Sequence, residues 1–208
     1  MSRMTEWHFY EPANGHGLAH DPLNAIVAPR PIGWIGSVSA AGVRNLAPYS
    51  FFNLLNYKPP LLAFSSNGWK DSVANIADTR EFTWNLATRA LAEQMNASAA
   101  TVANEVDEFT LADLETAPSH KIAAPRVAAS PASFECVLTQ LIRLETRMGE
   151  PVDTWLVIGE VVGIHIDRAM LSNGVYQTAR AQPILRGGGP GDYFEITEAA
   201  RFEMKRPS

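Results

Sequence analysis

Two short blocks in this chain bring together residue types suited to a flat, phosphorylated ligand. Asn45-Leu46-Ala47-Pro48-Tyr49-Ser50-Phe51-Phe52-Asn53 offers apolar and aromatic surface edged by amides and a hydroxyl. Ser65-Ser66-Asn67-Gly68-Trp69-Lys70-Asp71-Ser72 follows after one strand-like run, with an ammonium and small donors at the predicted start of a helix. The free N–H groups of a helix's first turn carry partial positive charge, and Lys70 adds a full one. A phosphate there would meet backbone donors, the Lys70 ammonium and the hydroxyls of Ser65, Ser66 or Ser72. Taken alone, Lys70-Asp71-Ser72 equally suits an ordinary helix start, with Asp71 or Ser72 as the cap.

A flavin ring system needs an apolar slot for its body and hydrogen-bonding groups along its edge, and the first block supplies both. Flavin mononucleotide (FMN) combines such a ring with a phosphate. The same aromatics would also serve as core residues and the amides as turn formers, so both readings stand at this point.

The elements that must position these blocks read mostly as strands. Pro31 to Ser39 alternates small and apolar residues, and Ala40-Ala41-Gly42 suits a hairpin turn into a strand over Val43 to Ala47. Leu61 to Ser65 is a short apolar run after Pro59-Pro60, consistent with a strand buried on both faces. A helix is predicted from Asp71 or Ser72 to Thr79, a strand over Glu81 to Ala87, a second helix over Ala90 to Ala100 and a helical turn around Leu111 to Leu114. Two long strands follow, Ser133 to Thr146 and Thr154 to Ile166, the latter interrupted by Gly159 and Gly163, as bulges in a curling sheet would be. One domain spanning 1–208 is expected, with peripheral segments at 1–21 and 187–208.

Composition excludes several function classes. The net charge of -5, with Lys and Arg scattered, lacks the basic excess of a nucleic-acid binder. No apolar run approaches the ~20 residues that span a bilayer, and the N-terminus has no apolar signal core, so a cytoplasmic protein is expected. The single Cys136 forms neither an internal disulfide nor a CxxC pair, and reads as a small buried hydrophobe in a strand. Of the five histidines, only His16 and His20 have helical ligand spacing. Asn14-Gly15-His16-Gly17 is too glycine-rich for that helix, and no metal is expected.

Together, Pro29-Arg30-Pro31-Ile32-Gly33-Trp34, Asn45 to Asn53 and Lys70-Asp71-Ser72 resemble the flavin reductase-like, FMN-binding split-barrel proteins, especially the flavoredoxin-like branch. The likeness continues in Met95-Asn96-Ala97-Ser98, Val106-Asp107-Glu108-Phe109, Ser130 to Cys136 and Ile158 to His165, in order from about residue 22 to 194. It implies a mainly β fold, a split β-barrel with flanking helices, and a homodimer with FMN near the subunit interface. It also implies NAD(P)H-dependent hydride transfer to FMN, with a flavin-dependent monooxygenase or another acceptor as partner. Carried over by position, Asn45, Leu46, Ala47, Pro48, Tyr49, Ser50 and Asn53 would line ring and ribityl chain, and Arg30 would be a further cofactor-binding residue. Ser65, Ser66, Lys70 and Ser72 would surround the phosphate, with Asp71 capping the helix. A flavin-retaining electron carrier and a dedicated small-molecule FMN oxidoreductase remain open as alternatives.

One segment departs from the family pattern. An Arg-Leu-Gly-Gly-like stretch followed by Tyr is replaced by Arg186-Gly187-Gly188-Gly189-Pro190-Gly191-Asp192-Tyr193, readable as a disordered connector or as a lid over the cofactor.

Overall fold

Seven antiparallel strands carry the molecule: β1 (Gly33–Val38), β2 (Arg44–Tyr49), β3 (Phe52–Tyr57), β4 (Pro60–Asn67), β5 (Glu81–Asn85), β6 (Ala132–Glu145) and β7 (Pro151–Ile166). They are seen in a computed structural model that describes residues 6–207; Met1 to Thr5, the first part of the expected N-terminal peripheral segment, and Ser208 lie outside the described residues.

The sheet order is β2-β1-β5-β6-β7-β4-β3, so β2 and β3, consecutive in sequence, form its two opposite edges. Only Ser50 and Phe51 separate them, which forces the sheet to curl until its edges meet at one corner. There the Ser65 N–H donates to the Phe51 carbonyl at 2.9 Å, but β2 and β3 share no ladder. This is a split β-barrel.

The β1–β2 hairpin turns where expected. Gly42 takes φ 85°, a conformation that costs glycine nothing, and its N–H bonds the Ser39 carbonyl. The curl of the long β6–β7 pair comes from register shifts at Ile158/Gly159 and Val161/Gly163, matching the bulges expected at these glycines. A Cβ on Gly159 would lie 2.5 Å from the Phe82 ring, so this position also lets a core aromatic press against the bent strand.

Alternation along β1 feeds two cores. Ile35 joins Tyr49, Leu62, Phe64, Phe82, Cys136 and Val157, plugged by Val73 and Ile76 of helix α1 (Asp71–Thr79). Trp34 points the other way, into a layer with Leu46, Leu91, Met95 and Phe109. That layer is covered by α2 (Ala92–Ala97) and α3 (Glu108–Leu111). Cys136 is fully buried, as its pattern implied, and burial pushes its thiol up out of the ordinary range.

Three local expectations are corrected. The helix expected over Ala90 to Ala100 is a 3-10 turn at Arg89–Leu91 followed by only six α-helical residues. It ends where the Ser98 hydroxyl donates to the Met95 carbonyl and receives the Trp34 indole N–H. The helical turn near Leu111 starts earlier, at Glu108, because Asp107 Oδ1 caps it by accepting from the Phe109 and Thr110 N–H groups. Finally, the strand expected over Val43 to Ala47 runs on to Tyr49, and after the corner at Ser50 and Phe51 a further strand, β3, follows that was not expected. The exposed side chains of β3 gave no apolar alternation to reveal it.

A fully buried carboxylate pins the far side of the barrel. Glu135 accepts from the backbone N–H groups of His120 at 2.8 Å and Lys121 at 2.6 Å, and from His165 Nε2. Burial alone would raise its pKa, but these donors outweigh it and hold the group at about 2. With the folded value depressed, its stabilisation is complete above the unfolded carboxylate range and is lost as pH falls through about 2. Glu135→Gln is therefore expected to be less stable than wild type at pH 7 by roughly 3 kcal/mol. In urea titrations at stepped pH, that gap should narrow between about pH 4.5 and 2; a constant gap would contradict the assignment.

Candidate functional site

The split in the barrel opens on a cavity of about 500 Å³. One wall is Ala47, Pro48, Tyr49, Ser50 and Phe51, from the end of β2 and the corner beyond it. The second is Ser65, Asn67, Trp69, Lys70, Asp71 and Ser72, where β4 runs into α1. The third is the stretch Ser98 to Val102 with Asn104 and Glu108.

Each wall has a local cause. β2 is an edge strand, and the Leu46 N–H points away from its ladder, donating to Glu108 Oε2 at 3.1 Å. With a period of two, Pro48 occupies the next outward position, where a missing N–H costs the ladder nothing. The rigid ring can therefore stand in a strand and line the cavity. Trp69, half-exposed on the second wall, is braced edge-on by Trp155, their ring centroids 4.6 Å apart.

The helix start differs from the expectation that Asp71 or Ser72 caps it. Lys70 holds the N-cap position in an extended conformation, and no side chain accepts from the first-turn N–H groups. Asp71 is the first helical residue. Ser72 is occupied elsewhere, its Oγ donating to Asn45 Oδ1 at 2.8 Å. The positive end of a nine-residue helix thus meets the cavity uncapped, beside an ammonium.

Asn45 is the hub between the walls. Its Oδ1 also receives the Ser37 hydroxyl at 3.3 Å, and its Nδ2 donates to Glu108 Oε2 at 2.9 Å. Asn75 Nδ2 extends the network to Ser37. Tyr49 carries a buried hydroxyl that makes no well-formed hydrogen bond, although Ser66 and Ser72 lie beside it. Burial raises this phenol above its ordinary pKa, with the two serines acting in the opposite direction.

Of the twelve residues singled out from sequence, the cavity gathers eight: Asn45, Ala47, Pro48, Tyr49, Ser50, Ser65, Lys70 and Ser72. Leu46 is fully buried and faces the helical layer, as strand alternation requires of the neighbour of Asn45 and Ala47. Ser66 is also fully buried, its hydroxyl held by the Gly68 carbonyl at 2.9 Å. Asn53 lies exposed on β3, its Oδ1 accepting from the Leu54 N–H.

Arg30 does not line the cavity but stands behind it. Its guanidinium donates to the Asn24, Val27 and Gly187 carbonyls, lies 3.5 Å from Ser50 Oγ and stacks over Phe51, while its Nε is buried without a partner. Arg186 to Tyr193 is neither a disordered connector nor part of the cavity lining. Strands Ile184–Arg186 and Tyr193–Glu195 pair as a hairpin, with Arg186 bonded to the Pro190 and Asp192 carbonyls.

Trp69, the Ser98 to Asn104 stretch and Glu108 were missed as site residues. Ser98 and Asp107-Glu108-Phe109 stood among the quoted motifs, but nothing in their spacing tied them to residues some 50 positions earlier. The chemistry the cavity offers is a flat apolar wall, an anion-attracting helix end and a set of hydroxyl, amide and carboxylate groups at their junction.

Residues 27–185 match the family described as flavin reductase like domain, which is most of the chain. The chain belongs to that family. It is 35% identical over 171 residues to an uncharacterized protein of Aquifex aeolicus, covering 79% of this chain and 83% of that protein. Among solved structures, it superposes on nitrilotriacetate monooxygenase component B from Bacillus cereus with a TM-score of 0.81 and 31% identity, covering 88% and 90% of the two chains. It superposes on the 2-nitrobenzoate 2-nitroreductase NbaA of Pseudomonas fluorescens with a TM-score of 0.78 and 27% identity, covering 89% of each. In this flavin reductase-like chain the Arg186 to Tyr193 segment lies just beyond the matched residues.

Proposed function

We propose that this protein binds FMN in the cavity between β2 and α1 and reduces it with NAD(P)H, in the cytoplasm and as a homodimer. One observation carries the reading: the uncapped start of α1, with Lys70, opens on the same cavity as the flat wall from Ala47 to Phe51. The donor set suits the ligand. A volume of about 500 Å³ lies in the range of nucleotide-sized ligands, and the lining sets hydroxyl and amide groups of Ser50, Ser65, Asn67 and Asn45 beside the Lys70 ammonium.

In this reading the α1 N–H groups and the Lys70 ammonium hold the phosphate, with Ser65 beside them. Pro48, Tyr49 and Phe51 form the apolar slot, and Ser50 lies at its edge with Arg30 behind. FMN bound there supplies a hydride acceptor. The protein's own part is to bind, orient and limit access of water, and no general-acid side chain is assigned. The likeness to a monooxygenase component B supports a role in supplying reduced flavin to a separate monooxygenase or another acceptor.

The dimer rests on surface area. The chain exposes 13448 Å², whereas a compact chain of 22.7 kDa exposes about 9,500 Å². Part of the excess is the extended segments 6–22 and 196–207. The exposed surface also includes large apolar side chains, Leu54, Leu55 and Tyr57 on β3 and Val162, Ile164 and Ile166 on β7. Sedimentation equilibrium should return twice the mass of one chain, and a concentration-independent monomer would refute this part.

Two measurements test the rest. Purified protein titrated with FMN should quench flavin fluorescence, and Lys70→Ala should weaken FMN by about tenfold while leaving riboflavin, which lacks the phosphate, nearly unchanged. Equal losses for both ligands would refute the phosphate assignment. Anaerobic mixing of the FMN complex with NADH or NADPH should bleach the flavin absorbance. Failure with both would replace the reductase reading with that of a flavin-retaining carrier.

A further inference from the structure

Among the described residues, the charged side chains lining the cavity are one cation, Lys70, and two anions, Asp71 and Glu108. A phosphate monoester brings about -1.5 to -2 more at neutral pH. Negative charge in a pocket for an anion needs a structural explanation, and only half of Glu108 has one. Its Oε2 accepts from Asn45 Nδ2 and the Leu46 N–H, which anchors α3 to β2. Its Oε1 makes no hydrogen bond to the described residues. Although the residue is only 5% exposed, that atom is not among the sealed, unpartnered groups Arg30 Nε, Tyr49 Oη and Trp155 Nε1. It therefore remains open to the cavity.

The bonds of Oε2 locate the carboxylate relative to the anion site. From Glu108 through the Asn45 amide to Ser72, in the first turn of α1, the path is two hydrogen bonds of 2.9 and 2.8 Å and one amide group. That span is on the order of 8 Å, within a Debye length at physiological salt, and it crosses a desolvated junction where screening is weak. Asp71 adds a second anion on the helix's own first turn, where it competes with a ligand phosphate for the helix dipole.

We infer that Glu108, seconded by Asp71, sets the affinity of this site for FMN by repelling the phosphate, so that FMN is an exchangeable ligand and not a permanently held one. The inference rests on the FMN reading above and goes further by naming the residue that decides between a released product and a resident cofactor. Lys70 and the α1 N–H groups attract the phosphate, Glu108 and Asp71 offset part of that attraction, and the apolar wall contributes equally to FMN and riboflavin. Loose binding is what the release of reduced flavin to a separate acceptor requires.

Glu108→Gln is the discriminating change. One amide oxygen can still accept from Asn45 and Leu46, while the group facing the cavity becomes an N–H donor of no net charge. Fluorescence-quenching titrations of purified wild type and variant, with FMN and with riboflavin at two ionic strengths, give the answer. FMN affinity is expected to rise about tenfold in Glu108→Gln, with riboflavin changed less than about twofold, and FMN binding by the variant should fall more steeply with salt. Asp71→Asn, whose side chain makes no hydrogen bond among the described residues, should move FMN the same way by a smaller factor and serves if Glu108→Gln lowers the melting temperature. An unchanged ratio of FMN to riboflavin affinity in both variants, or weaker FMN binding in either, would overturn the inference while leaving FMN binding in place. Wild type that binds neither flavin would overturn the FMN reading itself, and the inference with it.

Discussion

A buried amide is costly unless it is hydrogen-bonded, and in this molecule the amide of Asn45 makes three hydrogen bonds that join four elements. It belongs to β2, receives hydroxyls from Ser37 on β1 and Ser72 on α1, and donates to Glu108 on α3. Each partner is itself buried, so losing the amide would strand two hydroxyls and a carboxylate in a place water does not easily reach. The three cavity walls are therefore fixed relative to one another by one side chain. Apolar packing alone would leave α1 free to slide along the barrel mouth, because the contacts of Val73 and Ile76 are not directional.

The bond from Ser72 to Asn45 also accounts for the exposed dipole of α1. A serine near a helix start ordinarily satisfies first-turn N–H groups, which contributes about 1 kcal/mol. Here the hydroxyl is turned away, and Lys70 at the cap position has no acceptor to offer. Asp71 recovers part of the loss through its favourable charge at the helix start. The helix is thus held by packing against the barrel and by the Asn45 network, and its terminal N–H groups are left for something that is not protein. That division between what stabilises the helix and what the helix presents is the clearest sign of a binding role in the fold.

How far the sequence revealed this depends on whether the signal was local. The β1 to β2 hairpin, the apolar run of β4, the two bulge glycines of β7 and the burial of Cys136 were legible, because each rests on residues within one turn or one strand. Strand β3 was not, since its outward side chains, Leu54, Asn56 and Tyr57 among them, show no alternation of burial. At the site, the eight gathered residues come from two contiguous blocks. Glu108 and the Ser98 to Asn104 wall reach the cavity only through α2 and α3 packing under Trp34, a contact with no local pattern. Leu46 and Ser66 were included because they sit inside the right blocks, yet both are fully buried and neither lines the cavity.

The place of the cavity in the fold follows from a barrel that does not close. Had β2 paired with β3, its outward edge would have been consumed by a ladder and no space would remain. Edge strands are hazards for unwanted pairing, and proteins blunt them with proline, charge or bulges. β2 carries Pro48 at an outward position and gives the Leu46 N–H to a carboxylate, while β3 carries a register shift between Leu54 and Asn56. The devices that protect the split edge from other chains are among the groups that face the cavity. Pro48 supplies flat apolar surface, and Glu108 supplies both the edge cover and the charge that a bound anion would feel. In the proposed reading, protection of the edge and control of the ligand are met by the same residues, which would tie the affinity of the site to the architecture of the barrel itself.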